Sequence, residues 1–197
     1  MAVTADKVKA LREKTGVGIM DCKSALNETN GDIDKAIELL RKKGVATAEK
    51  RAGRETKEGI VESYIHPGNR LGVLVEINCE TDFVAKTDDF KAFAKDVSMQ
   101  IAAAGARVIA REEYSREEID KELEIYTTQA QNEGKPQNII ERYVQGKLEK
   151  FYQESVLLEQ AFIKDPNKTI KDLLMDVIAK TGENIQVRRF VRFQLGS

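Results

Sequence analysis

In Gly59-Ile60-Val61-Glu62-Ser63-Tyr64-Ile65-His66-Pro67-Gly68-Asn69-Arg70-Leu71-Gly72-Val73-Leu74-Val75-Glu76-Ile77-Asn78 the hydrophobic period is two. Val73, Val75 and Ile77 fall on one side and Leu74, Glu76 and Asn78 on the other, the alternation of a half-buried strand. Pro67-Gly68-Asn69 supplies the dihedral freedom of a tight reversal. Gly59 to Ile65 and Leu71 to Asn78 therefore read as an antiparallel hairpin.

Upstream the period is 3.6. Residues 1 to about 44 read as a three-helix module. Thr4 is placed to cap a helix carrying Val8 and Leu11, which stops at Thr15-Gly16. After Gly16-Val17-Gly18, a second helix sets Ile19, Cys22 and Leu26 three or four apart, and Asn30-Gly31 ends it. Asp32 caps a third, whose Ile33, Ala36, Ile37 and Leu40 make an i, i+3, i+4, i+7 stripe ending at Gly44. Helices this short hold together only by packing on one another. Residues 45–58, with Lys50, Arg51, Arg54 and Lys57, read as a basic, partly helical linker.

Downstream, helices and strands mix. Phe90, Phe93, Ala94, Val97 and Ile101 mark a helix from about Asp89 to Ala104, and acidic Arg111 to Glu124 reads as a solvated helix. Pro136 starts another, reaching about Phe151 with Ile140, Tyr143, Val144 and Leu148 on its stripe. Val156 to Ile163 is strand-like, and Thr169 caps a helix closed by Gly182. From Ile185 the period is two again: Ile185, Val187, Val191, Phe193 and Leu195 share one face. Residues 59–197 are thus expected to form an α+β core domain, a small, mainly antiparallel sheet packed with helices.

Composition narrows function. The 197 residues carry 32 Lys and Arg against 33 Asp and Glu, a net charge of −1. That balance argues against a general nucleic-acid binder, which needs a cationic excess to neutralise phosphates. No apolar run approaches the roughly 20 residues of a membrane span. Met1 to Lys14 has no secretory apolar region, so a cytoplasmic location is expected, with no membrane partner. The two cysteines, Cys22 and Cys79, and the single histidine, His66, make no metal-ligand spacing, so no metal and no cofactor is expected; the cysteines are expected as buried thiols. There is no phosphate-cradling GxxxxGK[ST] loop. Nothing in this set points to an enzyme.

One segment is unusual. Glu80-Thr81-Asp82-Phe83-Val84-Ala85-Lys86 connects a strand to a helix, yet carries Phe83 and Val84 where a connector is ordinarily polar. The residues alone favour Phe83 turning inward with Asp82 or Thr87 capping the next helix. The other reading is an aromatic wedge offered to a partner pocket. Spacing does not separate the two.

Leu11-Arg12-Glu13-Lys14-Thr15-Gly16-Val17-Gly18-Ile19-Met20-Asp21-Cys22-Lys23-Ser24-Ala25-Leu26 resembles the amino-terminal motif of translation elongation factor Ts. Glu76-Ile77-Asn78-Cys79-Glu80-Thr81-Asp82-Phe83-Val84-Ala85-Lys86 is similar to that family's second motif, with its Thr-Asp-Phe-Val core. Gly134-Lys135-Pro136 and Lys180-Thr181-Gly182-Glu183-Asn184-Ile185 also resemble family segments. The resemblance, from Val8 to the end, is to the short bacterial form. It implies a ubiquitin-associated-like module at 1–44 and a single dimerisation core, without the duplicated core or coiled-coil module of longer members.

The resemblance implies a guanine-nucleotide exchange factor that binds elongation factor Tu, in its GDP-bound and nucleotide-free states, and loosens its magnesium and phosphate site. The partner-binding positions it implies are Thr81, Asp82, Phe83 and Val84, with Phe83 the wedge and Asp82 its acidic neighbour. Met20 and Lys23 are implied on the module, Thr181 and Gly182 on a second loop, and His66 in the hairpin. A homodimer is also implied. Without the resemblance, a non-enzymatic adaptor binding a ubiquitin-like or peptide ligand is the alternative. A hydrolase built on Asp82, Glu80 and His66, or RNA binding through Arg188 to Phe193, is less well supported by spacing and charge.

Overall fold

Thr4 opens the first helix as its sequence suggests: the hydroxyl accepts from the Lys7 amide at 3.4 Å. This helix, α1 (Ala5–Thr15), ends where Gly16 takes φ +69°, a left-handed conformation costly for any residue with a Cβ. The computed structural model describes residues 3–196, without the side chains of Val45, Thr47 and Glu49, which lie in the basic linker read from the sequence. Helices α2 (Ile19–Glu28) and α3 (Ile33–Arg51) follow, α3 capped by Asp32, whose carboxylate accepts from the Lys35 amide at 3.1 Å. Leu11, Cys22, Ala25, Leu26, Ala36 and Leu40 form the buried core of this bundle with Val8, Ile33 and Ile37 packed against it, while Ile19, expected on the α2 stripe, is exposed.

The stop expected at Gly44 does not occur; α3 continues unbroken to Arg51. Gly44 serves close approach instead of termination: a Cβ there would meet the Ala179 methyl at 3.4 Å. Sequence patterning cannot tell a helical glycine at a packing contact from one that ends a helix.

Strands β1 (Glu58–Ile65) and β2 (Leu71–Cys79) are the expected hairpin, closed by His66 to Arg70 with Asn69 at φ 55°. Val73, Val75 and Ile77 are buried and Leu74 is exposed, as the alternation requires. A single turn, α4 (Asp82–Ala85), precedes α5 (Asp88–Ala104), which buries Phe90, Phe93, Ala94, Val97 and Ile101. Helix α6 (Arg116–Asn132) starts later than its acidic composition suggests, at a Ser115–Glu118 capping box. Arg111 lies before it in a 3₁₀ turn, paired with Glu149 and Glu159 and stacked 4.2 Å from the Tyr152 ring centroid. Helix α7 (Gln137–Ser155) folds back on α6 about a seam of Ala130, Ile140 and Val144 with Leu123, Tyr126 and Tyr143. The two helices read from the sequence here thus pack on one another as a hairpin.

The strand expected over Val156 to Ile163 is also corrected. Val156 makes only a bridge to Val108, Leu157–Glu159 is a 3₁₀ turn, and β3 is confined to Ala161–Phe162. Val156, Leu157 and Phe162 are buried while Ile163 is exposed, and an apolar run without periodicity does not specify a strand. Its partner β4 (Asp165–Thr169) contains Asp-Pro-Asn, which reads as a turn. After α8 (Ile170–Thr181), β5 (Ile185–Gln194) completes a three-stranded sheet in the order β1-β2-β5. The Leu195 amide donates to the Arg70 carbonyl (2.8 Å) beside the start of β2, and the Asn184 amide meets the Glu80 carboxylate beyond its end, so β5 runs antiparallel. Ile185 and Val187 are buried, but Val191, Phe193 and Leu195, expected on the same covered face, are exposed.

By contacts the chain divides into two compact units. One comprises the residues up to Val61 with Glu76–Ala94 and Asp172–Arg188; the other comprises Glu62–Val75, Lys95–Lys171 and the residues from Arg189. The second is pinned by Gln100, which is fully buried. Its Nε2 donates to Gln160 Oε1 and the Ala161 carbonyl, both at 3.1 Å, and its Oε1 accepts from the Ile163 amide at 2.9 Å. Gln100→Ala would strand those groups, and the expected loss is on the order of 3 kcal/mol in urea unfolding. A loss below about 1 kcal/mol would mean that water replaces the amide.

Candidate functional site

The first unit carries the elbow Glu80 to Thr87. Thr81 caps α4, its hydroxyl oxygen accepting from the Val84 amide at 3.4 Å, and Thr87 caps α5 by accepting from the Phe90 amide at 3.3 Å. Neither cap is Asp82. With the two caps only six residues apart, the turn is short and sharply bounded. Val84 and Ala85 point inward and are buried, while Phe83 points out and is 79% exposed. The inward reading of Phe83 is thereby overturned: a four-residue turn has one inner face, and Val84 and Ala85 occupy it. Asp82 pairs with Lys86 at 2.5 Å one turn on, and the hydrogen bond from that ammonium holds its carboxyl below the usual carboxylate range.

Behind the elbow lies a crossed pair of carboxylates. Glu183 Oε2 accepts from the backbone amides of Glu80 (3.1 Å) and Thr81 (3.0 Å), and its Oε1 accepts from the Thr81 hydroxyl at 2.6 Å. In return Glu80 Oε1 accepts from the Asn184 amide at 2.7 Å. That bond, and then the nearby Arg54 guanidinium at 3.4 Å, lowers the Glu80 carboxyl pKa. The Asn184 amide group donates to the Arg54 carbonyl at 2.9 Å, tying in the segment after α3. Cys79, at the root of the elbow, donates its thiol to the Thr81 carbonyl at 3.1 Å; burial, and then the Glu183 charge, pushes that thiol up to about 11. Both cysteines are buried and unbridged, as expected.

Thr181 and Gly182 end α8 beside this clamp. Gly182 is left-handed at φ 78°, and the Thr181 hydroxyl donates back to the Val177 carbonyl at 2.9 Å. On α2, Ile19, Met20 and Lys23 face outward, opposite Cys22, Ala25 and Leu26, and Met20 is 73% exposed. The Gly16-Val17-Gly18 connection preceding α2 lies against the aliphatic stem of Lys180, whose ammonium is 3.3 Å from Asp89. Thr81, Asp82, Phe83, Val84, Met20, Lys23, Thr181 and Gly182 all belong to the first unit. His66 belongs to the second, exposed in its hairpin, with Nδ1 3.0 Å from the Tyr64 hydroxyl.

Sequence reasoning gives Glu183, Asn184 and Arg54 no role. Hydrogen bonds from a carboxylate to backbone a hundred residues away leave no periodic trace; the available signal is an acidic residue directly after the Thr181-Gly182 helix stop. Among the described residues no group of three or more acidic, histidine or cysteine side chains is arranged to hold a metal ion. No helix among them is long and apolar enough to cross a membrane. The arrangement presents surfaces: an outward aromatic on a braced turn, and an exposed helix face.

Residues 2–197 match the sequence family described as Elongation factor TS. The chain is 63% identical over 194 residues to elongation factor Ts of Carboxydothermus hydrogenoformans, covering 98% of this chain and 89% of that protein. It is 60% identical to the elongation factor Ts of Thermoanaerobacter sp., covering 98% and 95%, and 58% identical to that of Fervidobacterium nodosum over the whole of both chains. The chain belongs to the elongation factor Ts family.

Proposed function

We propose that the protein is a guanine-nucleotide exchange factor that binds elongation factor Tu in the cytoplasm and promotes GDP release during translation elongation. Family membership supports the partner, and the outward Phe83 on its braced turn is the observation that carries the mechanism. The logic is linkage. A factor that binds the empty GTPase more tightly than the GDP-bound form weakens GDP binding by the same ratio. A thousandfold ratio needs about 4 kcal/mol of differential binding.

An exposed phenylalanine forgoes roughly 1.5–3 kcal/mol of burial until a partner covers it, and Phe83 supplies a large part of that difference by being covered fully only in the nucleotide-free complex. Inserted near the magnesium site, the ring displaces the elements that hold the cation and the phosphates. Met20 and Lys23 dock the helical module, and Thr81, Asp82, Val84, Thr181 and Gly182 complete the contact around the wedge. His66 adds a contact from the hairpin. No covalent step is asked of any of them.

A second copy of the chain is the further partner we propose. Ile65, Leu74, Phe193 and Leu195 line one shallow, exposed, largely apolar groove of the second unit, and Phe193 is 67% exposed. Contiguous apolar surface of this kind on a soluble chain marks an interaction site.

Phe83→Ala is expected to fold with unchanged thermal stability and to slow release of fluorescent GDP from elongation factor Tu by about 10- to 100-fold. Lys23→Ala is expected to slow it by about 3-fold, as for a charge at an interface rim. An adaptor that merely binds would leave GDP release unaltered in either variant. For self-association, the parent should sediment as a dimer and Phe193→Asp as a monomer; a monomeric parent at micromolar concentration would rule the second copy out.

A further inference from the structure

We propose that Glu183 is a positioning residue for nucleotide exchange: it never needs to touch the partner, but fixes the Glu80–Lys86 turn so that Phe83 meets the GTPase already oriented. The inference rests on the exchange reading and assigns a role to a residue outside the expected contact set.

Val84, Ala85 and the Thr87 cap hold the inner side of the turn, but they do not fix the direction in which the chain leaves β2. A four-residue helix is far below the length at which helical hydrogen bonds sustain themselves. Phe83, being outside, gives it no packing. The Asp82–Lys86 pair is solvent-exposed, and such pairs contribute little. What fixes the direction in which the chain leaves β2 is the pair of amides at Glu80 and Thr81, and a single carboxylate accepts from both. The same carboxylate accepts a hydrogen bond from the Thr81 hydroxyl, while the oxygen of that hydroxyl caps α4. Removing Glu183 therefore frees the backbone and loosens the cap at one stroke.

The clamp also joins two loops. Glu183 stands directly after Thr181-Gly182, and Glu80 returns a bond to the Asn184 amide. Each loop places its carboxylate on the backbone of the other, so the Phe83 turn and the Thr181-Gly182 loop form one body. Ordering that would otherwise occur on docking is completed on folding, which is how preorganisation raises the yield of a contact.

Glu183→Ala, Glu183→Gln and Phe83→Ala, each in the full chain, decide the matter with three readouts: melting temperature, amide hydrogen exchange of the free protein, and maximal GDP release from elongation factor Tu loaded with fluorescent GDP. Glu183→Ala is expected to speed amide exchange at Glu80 and Thr81 at least tenfold while α5 is unchanged, as for release of a local opening. Its maximal GDP release should fall about tenfold at a temperature where it is fully folded. Glu183→Gln keeps one acceptor for the amides and can donate to the Thr81 oxygen, so it should recover most of both properties.

The proposal is overturned if Glu183→Ala releases GDP at the parent rate, or if its Glu80 and Thr81 amides stay as protected as the parent's. It is equally overturned if Glu183→Gln is as slow as Glu183→Ala, which would make the charge itself a partner contact. Phe83→Ala separates the two levels. If it loses exchange while Glu183→Ala does not, the clamp idea alone fails; if Phe83→Ala exchanges like the parent, the wedge reading fails and takes the clamp's role with it.

Discussion

Two backbone amides, Glu80 and Thr81, leave the end of β2 with no strand partner to accept from them, and one carboxylate resolves both. That constraint organises the first unit. Glu80 is half-buried and Thr81 exposed, and the single acceptor that Glu183 supplies to both amides ties the end of α8 to the end of β2. The reciprocal bond from Asn184 to Glu80, and the Asn184 side chain on the Arg54 carbonyl, bring the segment after α3 into the same knot. Three stretches far apart in sequence are thus joined by polar groups. Such contacts fix direction more sharply than an oily contact does, because hydrogen bonds are angular.

Direction is what an outward aromatic requires. Left on a loose loop, Phe83 would collapse onto the nearest apolar surface of its own chain, since burial is favourable and nondirectional. A turn capped at both ends, with Val84 and Ala85 filling the inner side, leaves the ring nowhere inward to go. The fold thus carries the cost of an exposed phenylalanine at a site where a partner can recover it.

The sequence made the periodic parts plain. The Val73, Val75 and Ile77 alternation, the Ile33, Ala36, Ile37 and Leu40 stripe, and the caps at Thr4 and Asp32 each have a local physical cause, and each sits where that cause puts it. What escaped had tertiary causes. Gly44 continues a helix with Ala179 close against it, and of the Val156 to Ile163 run only Ala161 and Phe162 pair as a strand, with the Asp165–Thr169 segment as partner. Phe193 and Leu195 alternate like a covered face but stand open, because covering depends on what lies opposite. The elbow was visible as a motif, whereas the orientation of Phe83, set by which neighbours the core takes in, and the clamp, set by a residue about a hundred positions away, were not.

The thiol of Cys79 has a chemical consequence of its own. Sulfur reacts with oxidants and alkylating agents as the thiolate, and a group held up to about 11 has only about one molecule in ten thousand in that form at neutral pH. The residue next to the clamp is therefore held in its less reactive thiol form. Its proton stays on sulfur and is donated in a hydrogen bond to the Thr81 carbonyl, so a cysteine stands at this joint in its less oxidisable form.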